Sequence, residues 1–228
     1  GARLLSRSTR QVRLTPEGCA FYERATRILA DIEDAERAAG AGEQAVGRVR
    51  VNTSASYANH ILAPILPAFM AEHPGVTLDI VQTDAVVDLV AERADVAIRA
   101  GPLKSSRLVA RKLGETALMI VAAPSYLDRW GQPRSIGDLD AHNCLGFGYA
   151  RAVDGWPLRG NDGTVVVPAT GRVQASDGEG LRHLALSGVG LARLAAFTLR
   201  EDIAAGRLVP VLGDLDTCLL YTSPSPRD

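Results

Sequence analysis

The stretch RVRVNTSASYANHILAPILPAFMAEHPGVTLDIVQTDAVVDLVAERADVAIR, residues 48–99, decides the fold. In RVRVN (48–52) every second residue is valine, the spacing of a strand with one buried face. VTLDIVQ (76–82) and DVAIR (95–99) are comparably rich in β-branched residues and also read as strands. Ser56 to Glu72 and Val86 to Glu92 read as helices between them, which makes a βαβαβ unit and hence a parallel sheet. Pro64 and Pro67 fall inside the first helix, so a kink or a later start is expected there.

C-terminal to this unit a second series follows. Leu118 to Ala122 reads as a strand, and residues 138–163 are rich in glycine and turn signals. Val165 to Val167 and Arg172 to Ala175 are strands, Gly178 to Leu186 a helix, and Val189 to Ala192 a strand. Ala195 to Ala205 is a helix and Leu208 to Leu212 a strand, so two α/β lobes are expected. The last run, TCLLYTSPSPRD, departs in composition from all that precedes it and reads as a disordered or foreign tail.

N-terminal to the unit, Thr15-Pro16-Glu17 is a helix start: a hydroxyl cap, a proline whose missing N–H costs nothing, and an acid favoured by the dipole. Phe21, Ala25, Ile28, Ile32, Ala35 and Ala39 then follow a period of 3.5, and Gly40 and Gly42 end the run. Such a seam, on a helix of about 36 Å at 1.5 Å per residue, predicts pairing with a second chain. Upstream, Arg3, Arg7, Arg10 and Arg13 precede the first acid, Glu17, and form a local basic patch.

The 228 residues carry a formal charge of −1, which excludes a uniformly basic nucleic-acid coat. Cys19, Cys144 and Cys218 lack the spacing of a metal knuckle, redox pair or disulfide framework, and a reducing cytoplasm is expected. No run of eighteen apolar residues suggests membrane insertion, and no signal peptide is seen. Enzyme hardware is missing: there is no GxSxG elbow, HExxH or Walker loop, and Gly188-Val189-Gly190 fails the dinucleotide fingerprint. His60, His73, His142 and His183 are scattered. No catalytic residue, metal or cofactor is expected.

In doubly wound sheets ligands settle beyond the carboxyl ends of strands. That places Thr53, Ser54 and Ser56 after the first strand, Thr83 and Asp84 after the second, and Arg99 and Gly101 after the third. Phe147, Gly148, Ser176 and Asp177 come from the second lobe. The hydroxyls and helix-start amides near Ser54 and Ser56 suit a carboxylate or other anion; helix capping is the alternative for the serines and for Asp177.

Three segments carry a family resemblance. LLSRSTRQVRLTPEGCAFYERATRIL resembles the wing and linker helix of LysR-type transcriptional regulators, VVDLVAERADVAIRAGPLKSSRLVARKLG their first effector lobe, and SDGEGLRHLALSGVGLARL with DIAAGRLVPVL their second lobe and return crossover. The likeness runs from about residue 3 to residue 215.

The resemblance implies a ligand-responsive, DNA-binding regulator with a winged helix-turn-helix and an effector domain of two Rossmann-like lobes of the type 2 periplasmic-binding-protein fold. Residues 1–15 are then the wing remnant and 16–46 the linker and dimerisation helix. Residues 47–216 form the effector domain, with lobe one at 47–113 plus 208–216 and lobe two at 114–207, and 217–228 are the tail. The recognition helix is expected to precede Gly1, and a further strand and helix to follow Asp216, so the chain reads as a fragment.

On the wing, Arg7, Ser8, Thr9, Arg10 and Arg13 are expected to meet DNA phosphates, positioning without reading sequence, so binding by this chain alone is expected to be weak. The implied partners are promoter DNA, a small-molecule effector with carboxylates among the candidates, and further copies as homodimer or homotetramer. Asp177 and Ala195 depart from the family's usual residues, which leaves the effector open. The competing reading is a transport solute-binding protein, which shares the two lobes but needs neither the arginines nor the 3.5-period seam.

Overall fold

The computed structural model describes residues 2–7, 12–22, 24–25, 28–29, 32, 45–84, 94–101, 109–149, 155–160, 163–169, 171–213 and 217–225. Two compact units divide the chain, one of residues 1–48 and 69–77, the other of 49–68 and 78–228.

In the first unit, β1 (Leu5–Arg7) and β2 (Val12–Leu14) form an antiparallel hairpin with Leu5 opposite Leu14 and Arg7 opposite Val12. Helix α1 follows, its described residues being 16–22, 24–25, 28–29 and 32. It starts as the sequence predicts: the Thr15 hydroxyl accepts the Gly18 N–H at 3.0 Å and Pro16 is the first helical residue. Gly18 is obligatory, because a Cβ there would sit 1.9 Å from the Leu4 carbonyl oxygen. Phe21, Ile28 and Ile32 of the seam are 58%, 57% and 49% exposed, so the unit leaves this stripe uncovered. Ala35 and Ala39 lie outside the described residues.

β3 (Val46–Thr53) stands between β4 (Gly75–Gln82) and β5 (Val96–Ala97), parallel to β5 with Val51 opposite Val96. One continuous helix links β3 to β4: α2 (Ala55–Tyr57), a π-helical stretch (Ala58–Leu62) and α3 (Ala63–Glu72). It begins at Ala55 rather than late, and the prolines act inside it. Pro64 has no N–H to return to the preceding turn, and the π stretch sits just ahead of it, with the Ala63 N–H donating to the Ala58 carbonyl. The helix expected at Val86 to Glu92 lies outside the described residues. β6 (Arg99–Ala100) follows β5.

β7 (Val109–Ala122) is far longer than the strand expected at 118–122. Its C-terminal half pairs antiparallel with β12 (Ala192–Ala195) and β13 (Val209–Val211). α4 (Pro124–Trp130) comes next, then a short 3₁₀ turn (Gly137–Ala141) and β8 (Gly146–Phe147), which lies parallel to β11 (Gln174–Ala175). Between them β9 (Trp156–Gly160) and β10 (Gly163–Val167) form a hairpin. α5 spans Gly178–Leu186, as predicted, and α6 spans Ala196–Ala204.

The strand expected at 189–192 starts three residues later. Gly188 turns the chain with φ +71, and Gly190 packs so closely that a Cβ would lie 2.2 Å from the Asn143 carbonyl oxygen, so these residues serve as connection and ladder pairing waits until Ala192. The expected disordered tail also differs: β14 (Thr217–Ser225) runs antiparallel to β7 and reaches β6. The pairing runs along β7 from Leu118 to Val109, with a register shift between Tyr221 and Thr222.

Period-2 alternation on β7 divides the interior. Ile120 and Ala122 join a cluster with Tyr126, Leu139, Trp156 and Leu158, whereas Val121 joins Leu145, Leu181, Ala185 and Leu199. A third, smaller cluster under β3 is built on Val51 and Ile98, with Tyr57, Leu78 and Phe197 packed against it.

Candidate functional site

Three strand ends and one helix start meet in the second unit. At the end of β3, Asn52 and Thr53 are 1% and 0% exposed. The Thr53 carbonyl accepts the Thr83 N–H at 2.9 Å, and the Ile98 N–H donates to the Asn52 carbonyl at 2.8 Å, so the three ends are tied by backbone bonds.

Arg99 knits the floor. Its guanidinium donates to the Thr83 carbonyl at 2.7 Å and to Asn52 Oδ1 at 2.5 Å. Burial pulls its pKa below the ordinary arginine range, and the negative charge of Asp84, with a smaller part from Tyr149, works in the opposite direction. Asn52 Nδ2 and Thr53 Oγ1 are buried without a hydrogen-bond partner among the described residues. Such orphans are uncommon in native interiors.

Asp84 joins the parts. Its Oδ1 accepts the Ala55 N–H at 3.3 Å at the start of α2, and its Oδ2 accepts the Gly178 N–H at 2.8 Å at the start of α5. The Tyr149 hydroxyl donates to the Asp84 carbonyl at 3.0 Å. Gly178 permits this approach, since a Cβ there would lie 2.7 Å from Ser56 Oγ. Alongside, His60 Nε2 and Glu179 Oε1 are 2.9 Å apart, and the His60 and Phe197 rings meet edge to face at 6.3 Å.

The predicted site residues separate into groups. Ser56, Thr83, Asp84 and Arg99 are brought together. Ser54 acts as the cap, its hydroxyl accepting the Tyr57 N–H at 3.1 Å. Asp177 caps α5 through the Gly180 N–H at 2.7 Å and takes a hydrogen bond from Ser176 at 3.0 Å. Phe147 packs against the β7 core and lies 5.4 Å from the Tyr149 ring. Gly101 follows β6 with φ +96, a conformation open to glycine. On the hairpin, Arg7 and Arg13 lie on β1 and β2, while Ser8, Thr9 and Arg10 lie outside the described residues.

Asn52, Tyr149, His60 and Glu179 were not anticipated. A polar Asn closing an otherwise apolar strand end was a usable signal; nothing in sequence links His60 to Glu179.

Residues 42–226 match the LysR substrate binding domain. The chain belongs to the LysR-type transcriptional regulators. It is 36% identical over 215 residues to the HTH-type transcriptional regulator CrgA of Neisseria meningitidis serogroup C, covering 94% of this chain and 72% of that protein. DmlR of Escherichia coli, also an HTH-type transcriptional regulator, is 33% identical over 211 residues, covering 92% of this chain and 69% of DmlR. Among solved structures, CrgA superposes with a TM-score of 0.75 at 34% identity, over 100% of this chain and 78% of that one. The full-length virulence activator AphB of Vibrio cholerae superposes with a TM-score of 0.75 at 30% identity, covering 99% of this chain and 78% of AphB.

The LysR domain carries the two-lobe periplasmic-binding-protein fold expected from the sequence. Its relatives here are transcriptional regulators, which puts the transport reading behind. No helix among the described residues is long and apolar enough to cross a membrane.

Proposed function

We propose that this LysR-type chain senses a small molecule between lobe one (47–113 plus 208–216) and lobe two (114–207), at Ser56, Thr83, Asp84, Arg99 and the start of α5. The observation that carries this reading is Asp84: it sits on a strand end of one lobe and accepts a hydrogen bond from Gly178 of the other, so any ligand entering there changes how the lobes meet. Tyr149 and the pair His60–Glu179 add two further cross-lobe ties. Coupling to DNA equals the effector's differential affinity for the two lobe arrangements, about 1–3 kcal/mol in typical systems.

The stretch that holds Arg7, Arg10 and Arg13 is the phosphate-facing wing, and the seam of Phe21, Ala25, Ile28, Ile32 and Ala35 joins two copies. A homodimer, or a homotetramer built from it, then acts on promoter DNA in the cytoplasm.

Hydrogen exchange tests the effector reading. A metabolite that raises Tm in a thermal-shift screen is expected to protect amides at 53–58, 83–84, 99–101 and 176–180. Protection elsewhere with none at these segments overturns it.

A further inference from the structure

A cavity of about 570 Å³ lies between the helix that follows β3, the middle of β7 and α6. Ser56, Thr83, Asp84, Arg99 and Gly178 do not line it, so it is separate from the cleft described above. Its walls are apolar: Tyr57 and Ile61 on the first element, Met119 on the second, Phe197 and Ile203 on the third. All five are only half-buried, which leaves apolar surface uncovered. Phe197 is held in place by edge-to-face contacts with Tyr57 at 6.4 Å and His60 at 6.3 Å. The volume falls within the range of small-molecule sites, about 300–1,000 Å³.

The charge at this cavity is one-sided. Glu115 on β7 and Arg200 on α6 are its charged lining residues. Glu115 is already paired with Lys112, whereas Arg200 is exposed and has no hydrogen bond or ion pair among the described residues. We propose that the cavity is a second small-molecule site, one that takes an amphipathic carboxylate: an apolar body between Tyr57, Ile61, Met119 and Phe197, and an acid group on Arg200. The body gains by leaving water in proportion to its apolar area. The guanidinium presents a planar fork of donors that matches a carboxylate. A neutral analogue keeps the first gain and loses the second, and a small acid without a body does the reverse. The site stands independently of the effector reading above.

Three probes separate these contributions: phenylbutyrate, its amide phenylbutyramide, which has the same shape without the charge, and acetate, which has the charge without the body. Each is titrated into the full chain by calorimetry at constant ionic strength, and hydrogen exchange locates the bound probe. Wild type is expected to bind phenylbutyrate about fivefold tighter than the amide, the upper range for an ion pair open to water, and to bind acetate more weakly than either. Arg200→Gln is expected to melt as wild type does, since the side chain is exposed, and to bind acid and amide equally. Arg200→Lys is expected to retain a preference for the acid. Ala204→Phe, which adds bulk to the cavity lining from α6, is expected to weaken both.

Exchange protection by phenylbutyrate is expected at 113–119 and 196–204. Equal affinity of wild type for acid and amide, binding of neither, a preference that survives Arg200→Gln, or full binding by Ala204→Phe overturns the assignment. Protection confined to 53–56, 83–84, 99–101 and 176–180 also overturns it and supports the cleft instead.

Discussion

The Asp202 carboxylate, 1% exposed, accepts the Arg182 Nε–H at 2.7 Å, tying α6 to α5. Its other oxygen accepts from Arg207 Nε at 2.8 Å, and the backbone N–H groups of Arg207 and Leu208 donate to the Asp202 carbonyl. The acid thus secures the turn that returns the chain toward β13. Asp202→Ala leaves the largely buried Arg182 with Glu179 at 3.4 Å as its remaining acid, and is expected to cost about 1.5–3 kcal/mol in urea unfolding, the range for hydrogen bonds to charged groups. Arg207, 54% exposed on its side chain, contributes little. A loss no larger than that of Arg207→Ala would sink this reading.

Backbone proximity predicts a sharp contrast between two glycines. Gly190→Ala drives a Cβ toward the Asn143 carbonyl at 2.2 Å, and Asn143 is fixed by bonds from its Nδ2 to the Val189 carbonyl and from the Arg172 N–H to its Oδ1. A loss of about 1–3 kcal/mol is expected, as for other overpacked sites. Gly137→Ala, where a Cβ meets nothing nearer than 3.8 Å, is expected to be near neutral. Chemical denaturation of both variants decides, and equal losses would refute the contrast.

Cys144 is 4% exposed and donates weakly to the Leu139 carbonyl at 3.6 Å. Burial, with a smaller push from Asp140, raises its pKa to about 11. Since the thiolate is the reactive form, the folded chain at pH 8 is expected to leave Cys144 unlabelled by iodoacetamide until urea is added. Exposed Cys19 is expected to react at once. Peptide mass spectrometry reads both, and prompt labelling of Cys144 would contradict its burial.

His142 links stability to pH. The Tyr126 hydroxyl accepts the Asn143 N–H at 2.9 Å and lies 3.2 Å from His142 Nδ1, within hydrogen-bond reach. Burial lowers the His142 pKa from 6.5, against a smaller opposing effect of Asp138. The unfolded chain therefore binds the proton first, so the contribution is complete above about pH 6.5 and is lost as the pH falls toward the lower folded value. Wild type is expected to lose more stability between pH 7.5 and 5.5 than His142→Asn does. Parallel profiles would remove His142 from the linkage.

Local chemistry was legible in the sequence where one segment determines its own shape. The Thr15 cap and α5 satisfy their bonds within a few residues, and the alternation in RVRVN marks a strand by its own spacing; each formed as read. Readings failed where distant chain decides. The late start of β12 depends on Gly190 meeting Asn143, and the length of β7 on β14 pairing along it. At the site, strand ends located Thr83, Asp84 and Arg99, but sequence order has no way to state that Asp84 reaches Gly178 across 94 positions.

The seam on α1 makes the last prediction. Phe21 and Ile28, seven positions apart, project from one helix and are 58% and 57% exposed, with Ile32 a turn further on. Burying an isoleucine or phenylalanine is worth roughly 1.5–3 kcal/mol, so a few such pairs across a two-fold axis offset the cost of association. The full chain is expected to sediment as a dimer, and Phe21→Glu with Ile28→Glu to convert it to monomer while leaving the unfolding of the second unit unchanged, because neither residue belongs to that unit. Charges placed off the seam, as in Ala20→Lys, are expected to leave the dimer intact. A chain that stays monomeric at high concentration, or a double variant that dimerises as tightly as wild type, would show that these side chains have another purpose.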